Sequence, residues 1–172
     1  MKEPSDHIQH LDRKDAVTKM KEIVEHTNIC LFTTQLEETP LPTRPMATIK
    51  VDEEGNFWFL SDAESQKNFE LKDDARVQLF YSNPSNAEFM SVYGHAMEYK
   101  DRQIIEDLWT PIAKAWFKKG EDDPSLTAIM VIPDDAYYWD TKSSKMVSLI
   151  KILASTVSDR TMDDGVEGKL KV

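Results

Sequence analysis

Arg44–Lys67 reads RPMATIKVDEEGNFWFLSDAESQK. Its first third alternates at strand period, with Met46, Thr48 and Lys50 on one face and Ala47, Ile49 and Val51 on the other. Asp52–Asn56 carries a Glu-Gly-Asn turn, so a hairpin leads into a second strand at Phe57–Leu60. Ser61–Ser65 is polar and small, and Ser65 is placed to cap a helix over about 66–72, with Phe69 and Leu71 expected to face inward. The stretch therefore gathers a guanidinium (Arg44), a hydroxyl (Ser65) and an ammonium (Lys67) beside a helix start. A phosphate needs those groups. From residue types alone, a capped helix with two surface cations explains them slightly better.

Upstream, Ala16, Val17, Met20, Ile23 and Val24 recur at helical spacing and predict an amphipathic helix over about 12–26. Asn28–Gln35 is rich in β-branched and aromatic residues and reads as a strand. Leu36–Thr43, with two prolines, reads as a loop. Downstream, Arg76–Tyr81 and Phe89–Tyr99 read as strands, with Gly94 marking a bulge or close approach. Asp101–Phe117 is helical in pattern, with Pro111 imposing a kink or a split. Leu126–Ile132 reads as a strand that Pro133–Ala136 breaks or bulges before Tyr137–Asp140 continues it. Met146–Lys151 adds a candidate short strand. Residues 1–11 read as a leader, 12–151 as the folded domain and 152–172 as a C-terminal tail. The pattern predicts an α+β, mainly β, antiparallel barrel-like domain with inserted helices.

The chain of 172 residues is long enough for one sizeable core. Its net charge of −10 argues against nucleic acid and anionic membranes as partners. There is no apolar run long enough to span a bilayer and no secretory signal, so a soluble cytoplasmic protein is expected. The single cysteine, Cys30, sits in the apolar run Ile29–Phe32 and reads as a small buried hydrophobe. There is no H-E-x-x-H, C-x-x-C or Cys/His cluster, and no metal is expected on that ground. Dinucleotide, Walker and nucleophile-elbow signatures are also missing. The acidic runs Glu37–Glu38, Asp73–Asp74 and Glu121–Asp123 read as solvated loops.

With RPMATIK (Arg44–Lys50), FWFLSDAESQKNFEL (Phe57–Leu71), RVQLFYS (Arg76–Ser82), VYGHAMEYKD (Val92–Asp101), LWTPIAKAWF (Leu108–Phe117) and YYWD (Tyr137–Asp140) in this order, the chain resembles a known family. It is that of the flavin-binding split-barrel proteins related to pyridoxamine 5′-phosphate oxidase. Within it, the general stress protein 26 group is the most similar. The resemblance implies a six-stranded antiparallel split barrel that forms a homodimer, with FMN at the dimer interface (FAD or another flavin being an alternative). Carried onto this sequence, it implies that Arg44 and Lys67 hold the phosphate, with Ser65 as a hydroxyl donor and Gln66 where the oxidases have arginine. Met46, Ala47 and Thr48 would run along the flavin ring, and Leu60 and Ser61 beside the ring and ribityl chain. Trp139 would come from the opposite subunit, and Trp109 and Trp116 would line the cleft. This chain lacks the oxidases' C-terminal R-L-H-D-R segment. It has Phe89 where they carry a glutamine and Ile104–Lys119 in place of further substrate contacts. Flavin binding is therefore implied and pyridoxamine phosphate oxidation is not. An oxidoreductase with an unidentified small substrate, a non-catalytic flavin carrier or sensor, and a structural dimer without cofactor all stay open.

Overall fold

The computed structural model describes residues 13–140 and, as backbone, the strand Val166–Leu170. Helix α1 (Arg13–His26) buries Ala16, Val17, Met20, Ile23 and Val24, the stripe that its periodicity marks. Seven strands follow in one antiparallel sheet: β1 (Ile29–Thr33), β2 (Thr43–Ala47), β3 (Lys50–Val51), β4 (Phe57–Asp62), β5 (Arg76–Asn83), β6 (Glu88–Tyr99) and β7 (Leu126–Asp140). Their order is β2-β1-β5-β6-β7-β4-β3, and β8 (Val166–Leu170) pairs with β7. Helix α2 (Gln66–Asp73) links β4 to β5, and α3 (Arg102–Leu108) with a short 3-10 helix (Pro111–Ala115) links β6 to β7.

Two expectations are corrected here. Among the described residues the sheet has seven strands on its main path, not six, because Arg44–Val51 is not one strand. The alternation fails after Thr48, where the chain crosses between sheet ends. Thr48 N–H donates to the Asn28 carbonyl beside β1, and Ile49 N–H donates to the Trp58 carbonyl on β4. The two ends of the sheet are thus successive pieces of one segment, which curls the sheet into a split barrel. The second correction is Phe69, which is 51% exposed instead of inward. Helix α2 turns Asn68 and Leu71, one turn apart, to the inside, leaving Phe69 off that face.

The barrel core contains Phe32, Phe57, Phe59, Leu79, Val92, Ile129 and Val131, with Phe32 and Phe59 edge to face at 5.3 Å. A second cluster, Leu60, Ile105, Leu108, Ala113, Leu126 and Ala128, packs the α3 segment against the outside of β4 and β7. Pro111 does split this region, as expected, into α3 and the 3-10 helix. Pro133, by contrast, does not end the strand. β7 runs unbroken for 15 residues, and the irregularity is a bulge. Tyr93 faces Asp135 and Gly94 faces Pro133, so Asp134 is the extra residue. Inward positions change from Ile129, Val131 and Pro133 to Ala136 and Tyr138 across it. Among the described residues, no helix is long and apolar enough to cross a membrane. The candidate strand at Met146–Lys151 and the leader lie outside the described residues.

Candidate functional site

The hairpin β3–β4 and helix α2 bring the opening stretch's cations together with β2. The hairpin turn is tied by Asp52, whose Oδ1 accepts from the backbone of Glu54 and Asn56, while its Oδ2 accepts from Trp58 Nε1 at 2.8 Å. Arg44 Nη1 donates to Thr34 Oγ1 at 2.7 Å, and its Nη2 donates to Glu70 Oε2 at 2.8 Å. Lys67 Nζ donates to Ser65 Oγ at 2.9 Å. Burial and then the nearby Arg44 hold the Lys67 ammonium below its usual range, against the smaller pull of Asp62 and Glu70. Ser65 stands at the N-cap of α2, but its hydroxyl does not cap the helix. It is turned to the side chain of Asn68 instead. The positive end of a two-turn helix therefore opens beside Lys67 and Arg44.

Asn68 is the hub that fixes this arrangement. Its Oδ1 accepts from Ser61 Oγ at 2.6 Å and Ser65 Oγ at 2.8 Å. Its Nδ2 donates to Glu98 Oε1 at 3.0 Å and Thr127 Oγ1 at 3.2 Å. A buried amide with all four bonding positions filled has one orientation, and it locks α2 to β4, β6 and β7. Burial raises the Glu70 carboxyl, but the Thr34 hydroxyl and Arg44 outweigh it and hold the group below its usual range.

The family model described as "Pyridoxamine 5'-phosphate oxidase like" matches residues 15–163. The chain belongs to that family. A relative, Protein bli-3 of Neurospora crassa, is 27% identical over 138 residues, covering 74% of this chain. The chain matches 65% of the length of bli-3. Among solved structures, general stress protein 26 from Jannaschia sp. CCS1 superposes with a TM-score of 0.72 at 18% identity, covering 92% of this chain and 99% of that one. A general stress family protein from Xanthomonas campestris gives 0.64 at 25% identity, covering 78% and 92%. The general stress FMN/FAD binding protein from Xanthomonas citri gives 0.63 at 24%, covering 75% and 90%. The fold is thus that of the general stress protein 26 structures.

Against this family frame, the candidate residues fall into three groups. Ser61, Ser65 and Lys67 are joined directly or through Asn68, while Arg44 pairs with Glu70 near the Lys67 charge, and the exposed Gln66 also bonds to Glu70. Leu60 and Trp109 meet in the second apolar cluster, while Trp116 is 74% exposed. Thr48 and Met46 turn inward: Thr48 Oγ1 lies 2.6 Å from the buried Tyr81 hydroxyl, and Met46 joins the core. What this segment still offers is backbone, because β2 ends the strand order and pairs only with β1 there. Trp139 lies four strands from Arg44 in that order and packs on Tyr137 at 4.5 Å. Cys30 is buried in the barrel core, and burial pushes its thiol up to about 12.

Thr34, Asn68, Glu70, Glu98 and Thr127 escaped the sequence reading. Only Asn68 and Glu70 left a signal there, as polar residues on the helix that carries Lys67. The desolvated Lys67 has a stability consequence. Its ammonium is disfavoured in the fold at every pH below the depressed value. That penalty is relieved as pH rises through it toward 10.5, the lysine's ordinary value. Lys67→Met should therefore raise the melting temperature of the ligand-free chain at pH 7 by about 1–3 °C, measured by scanning calorimetry. A fall of that size would show that Lys67 stabilises the fold.

Proposed function

We propose that the chain is a flavoprotein of the general stress type that holds FMN. The phosphate lies between Arg44, Lys67 and the start of α2, and the ring lies along the Met46–Thr48 backbone beside Leu60 and Ser61. The observation that carries this reading is Lys67, a desolvated ammonium set against a second cation, with a hydroxyl as its hydrogen-bond partner. Burial and the Arg44 charge outweigh the pull of Asp62 and Glu70 on that ammonium, and a dianion relieves the imbalance. The Xanthomonas citri protein, described as FMN/FAD binding, supports extending the same ligand class to this chain. When bound, the flavin supplies redox chemistry toward a small substrate, and the chain binds it, orients it and limits what reaches it.

The working unit is a homodimer with the flavin at the interface, covered by Trp139 of the partner subunit. The outward sheet face supports this. Pro45, Leu31 and Phe80 line up across β2, β1 and β5, and Phe89 and Trp139 pair across β6 and β7. Leu31 is 50% exposed and Phe80 44%, a large apolar row for a lone subunit. The expected result is that the purified chain, mixed with FMN and desalted, keeps the flavin's visible absorbance and runs as a dimer in light scattering. Loss of all absorbance on desalting overturns the binding, and a strict monomer overturns the interface.

A second reading rests on Glu70. Its carboxylate already pairs with Arg44, so the pair serves the fold alone if the chain has lost its flavin. The same desalting experiment separates the two.

A further inference from the structure

A second cluster stands apart from the flavin reading, where the end of α1 meets the β5–β6 hairpin. Glu22 and His26 lie four residues apart on α1 and so share one face. Glu88 opens β6 and is 5% exposed. His26 Nδ1 lies 2.9 Å from both Glu88 oxygens. One ligand atom from each of Glu22, His26 and Glu88 falls within 4.8 Å of the others. Asn83 Nδ2 donates to Glu88 Oε2 at 2.9 Å, helping to orient the carboxylate.

We propose that Glu22, His26 and Glu88 form a binding site for one divalent transition-metal ion of the zinc, cobalt or nickel class. The His26–Glu88 pair alone accounts for two of the three groups. It does not account for Glu22, a second carboxylate brought beside a buried one, where like charges repel. Lys19 answers part of that repulsion by donating to Glu22 Oε2 at 3.3 Å, but it also pairs with Asp140. A cation between the three groups answers the rest. One imidazole nitrogen with two carboxylates selects borderline metals over calcium or magnesium, which take oxygen ligands alone. Glu22 and His26 are exposed, so water completes the coordination. His26 is also the last residue of α1, where the helix presents its negative end. The amide of Asn83 stands where outer-shell groups that orient a metal's ligands are found. Small rotations of the exposed Glu22 bring the set to the roughly 3.5 Å spacing that a metal with bonds of about 2.1 Å requires. No sequence signature marks the site, because Glu88 lies 62 residues beyond His26.

Metal-stripped full-length protein is titrated with Co²⁺ alone, followed by visible absorption and calorimetry, and then with Zn²⁺ in competition. The expected result is one Co²⁺ per chain, displaced by Zn²⁺, with a rise in melting temperature on loading. His26→Gln and Glu22→Gln should each weaken binding by about tenfold or more. Glu53→Gln, on the opposite pairing with Lys21, should leave it unchanged. The variant His7→Gln/His10→Gln should also bind normally. Both α1 substitutions are at exposed positions, and if one fails to fold the other still decides. Binding weaker than about 1 mM, binding that survives both α1 substitutions, or binding lost with His7 and His10 overturns the proposal.

Discussion

Gly94→Ala is expected to lower the melting temperature by about 6–12 °C, a loss of about 3 kcal/mol. A β-carbon at Gly94 would stand 2.2 Å from the Ile132 carbonyl oxygen and 3.0 Å from the Pro133 Cα. Both obstacles are backbone, so no side chain can swing aside to make room. The two strands must separate at the bulge, the place where their register shifts. Gly120→Ala is the matched control. That glycine has φ +82° with nothing within 4 Å of a new β-carbon, so its cost is conformational and about 1 kcal/mol. A Gly94 variant no less stable than the Gly120 variant would show that the close approach does not hold the barrel together. The bulge also matters for the site. Glu98 lies beyond it on β6 and holds Asn68, and a slip of one residue would turn Glu98 to the opposite face.

Gly94 shows what a sequence can reveal: a lone glycine in an alternating strand has few explanations, and here both of the expected ones hold together. Pro111 acted the same way. Arg44–Val51 shows the opposite case. Both halves are strand-prone, so residue types could not place the break at Thr48–Ile49. The break is set by two distant carbonyls, those of Asn28 and Trp58. Phe69 was misread because helical period gives spacing and not rotation. The rotation of α2 is set by Asn68, whose partners lie 30 and 59 residues away. The cations at the candidate site were legible as residue types. The groups that fix them were not, because Thr34 meets Arg44, and Glu98 and Thr127 meet Asn68, only when the sheet closes. The same holds for Glu88 against His26.

Arg44→Ala combined with Lys67→Ala should weaken FMN binding by about 150- to 25,000-fold and riboflavin binding by less than about tenfold. Charge-assisted hydrogen bonds are worth about 1.5–3 kcal/mol each, and two of them to the phosphate account for that loss. Riboflavin has the same ring and ribityl chain without the phosphate, so it reports on everything else at the site. The double variant carries a risk, since removing Arg44 strands the Glu70 carboxylate that it pairs with. Breaking such a pair costs more than the pair contributes. Lys67→Met avoids this, because Lys67 bonds to a hydroxyl and its desolvated charge is a burden in the ligand-free fold. It should keep or raise the melting temperature while still costing FMN tenfold or more. Glu70→Gln in the Arg44→Ala background removes the stranded charge and restores a folded protein for the second measurement. Equal losses for FMN and riboflavin would refute the phosphate assignment, because only a phosphate distinguishes the two ligands. A stable Lys67→Met chain with undiminished FMN affinity would remove Lys67 from the phosphate site.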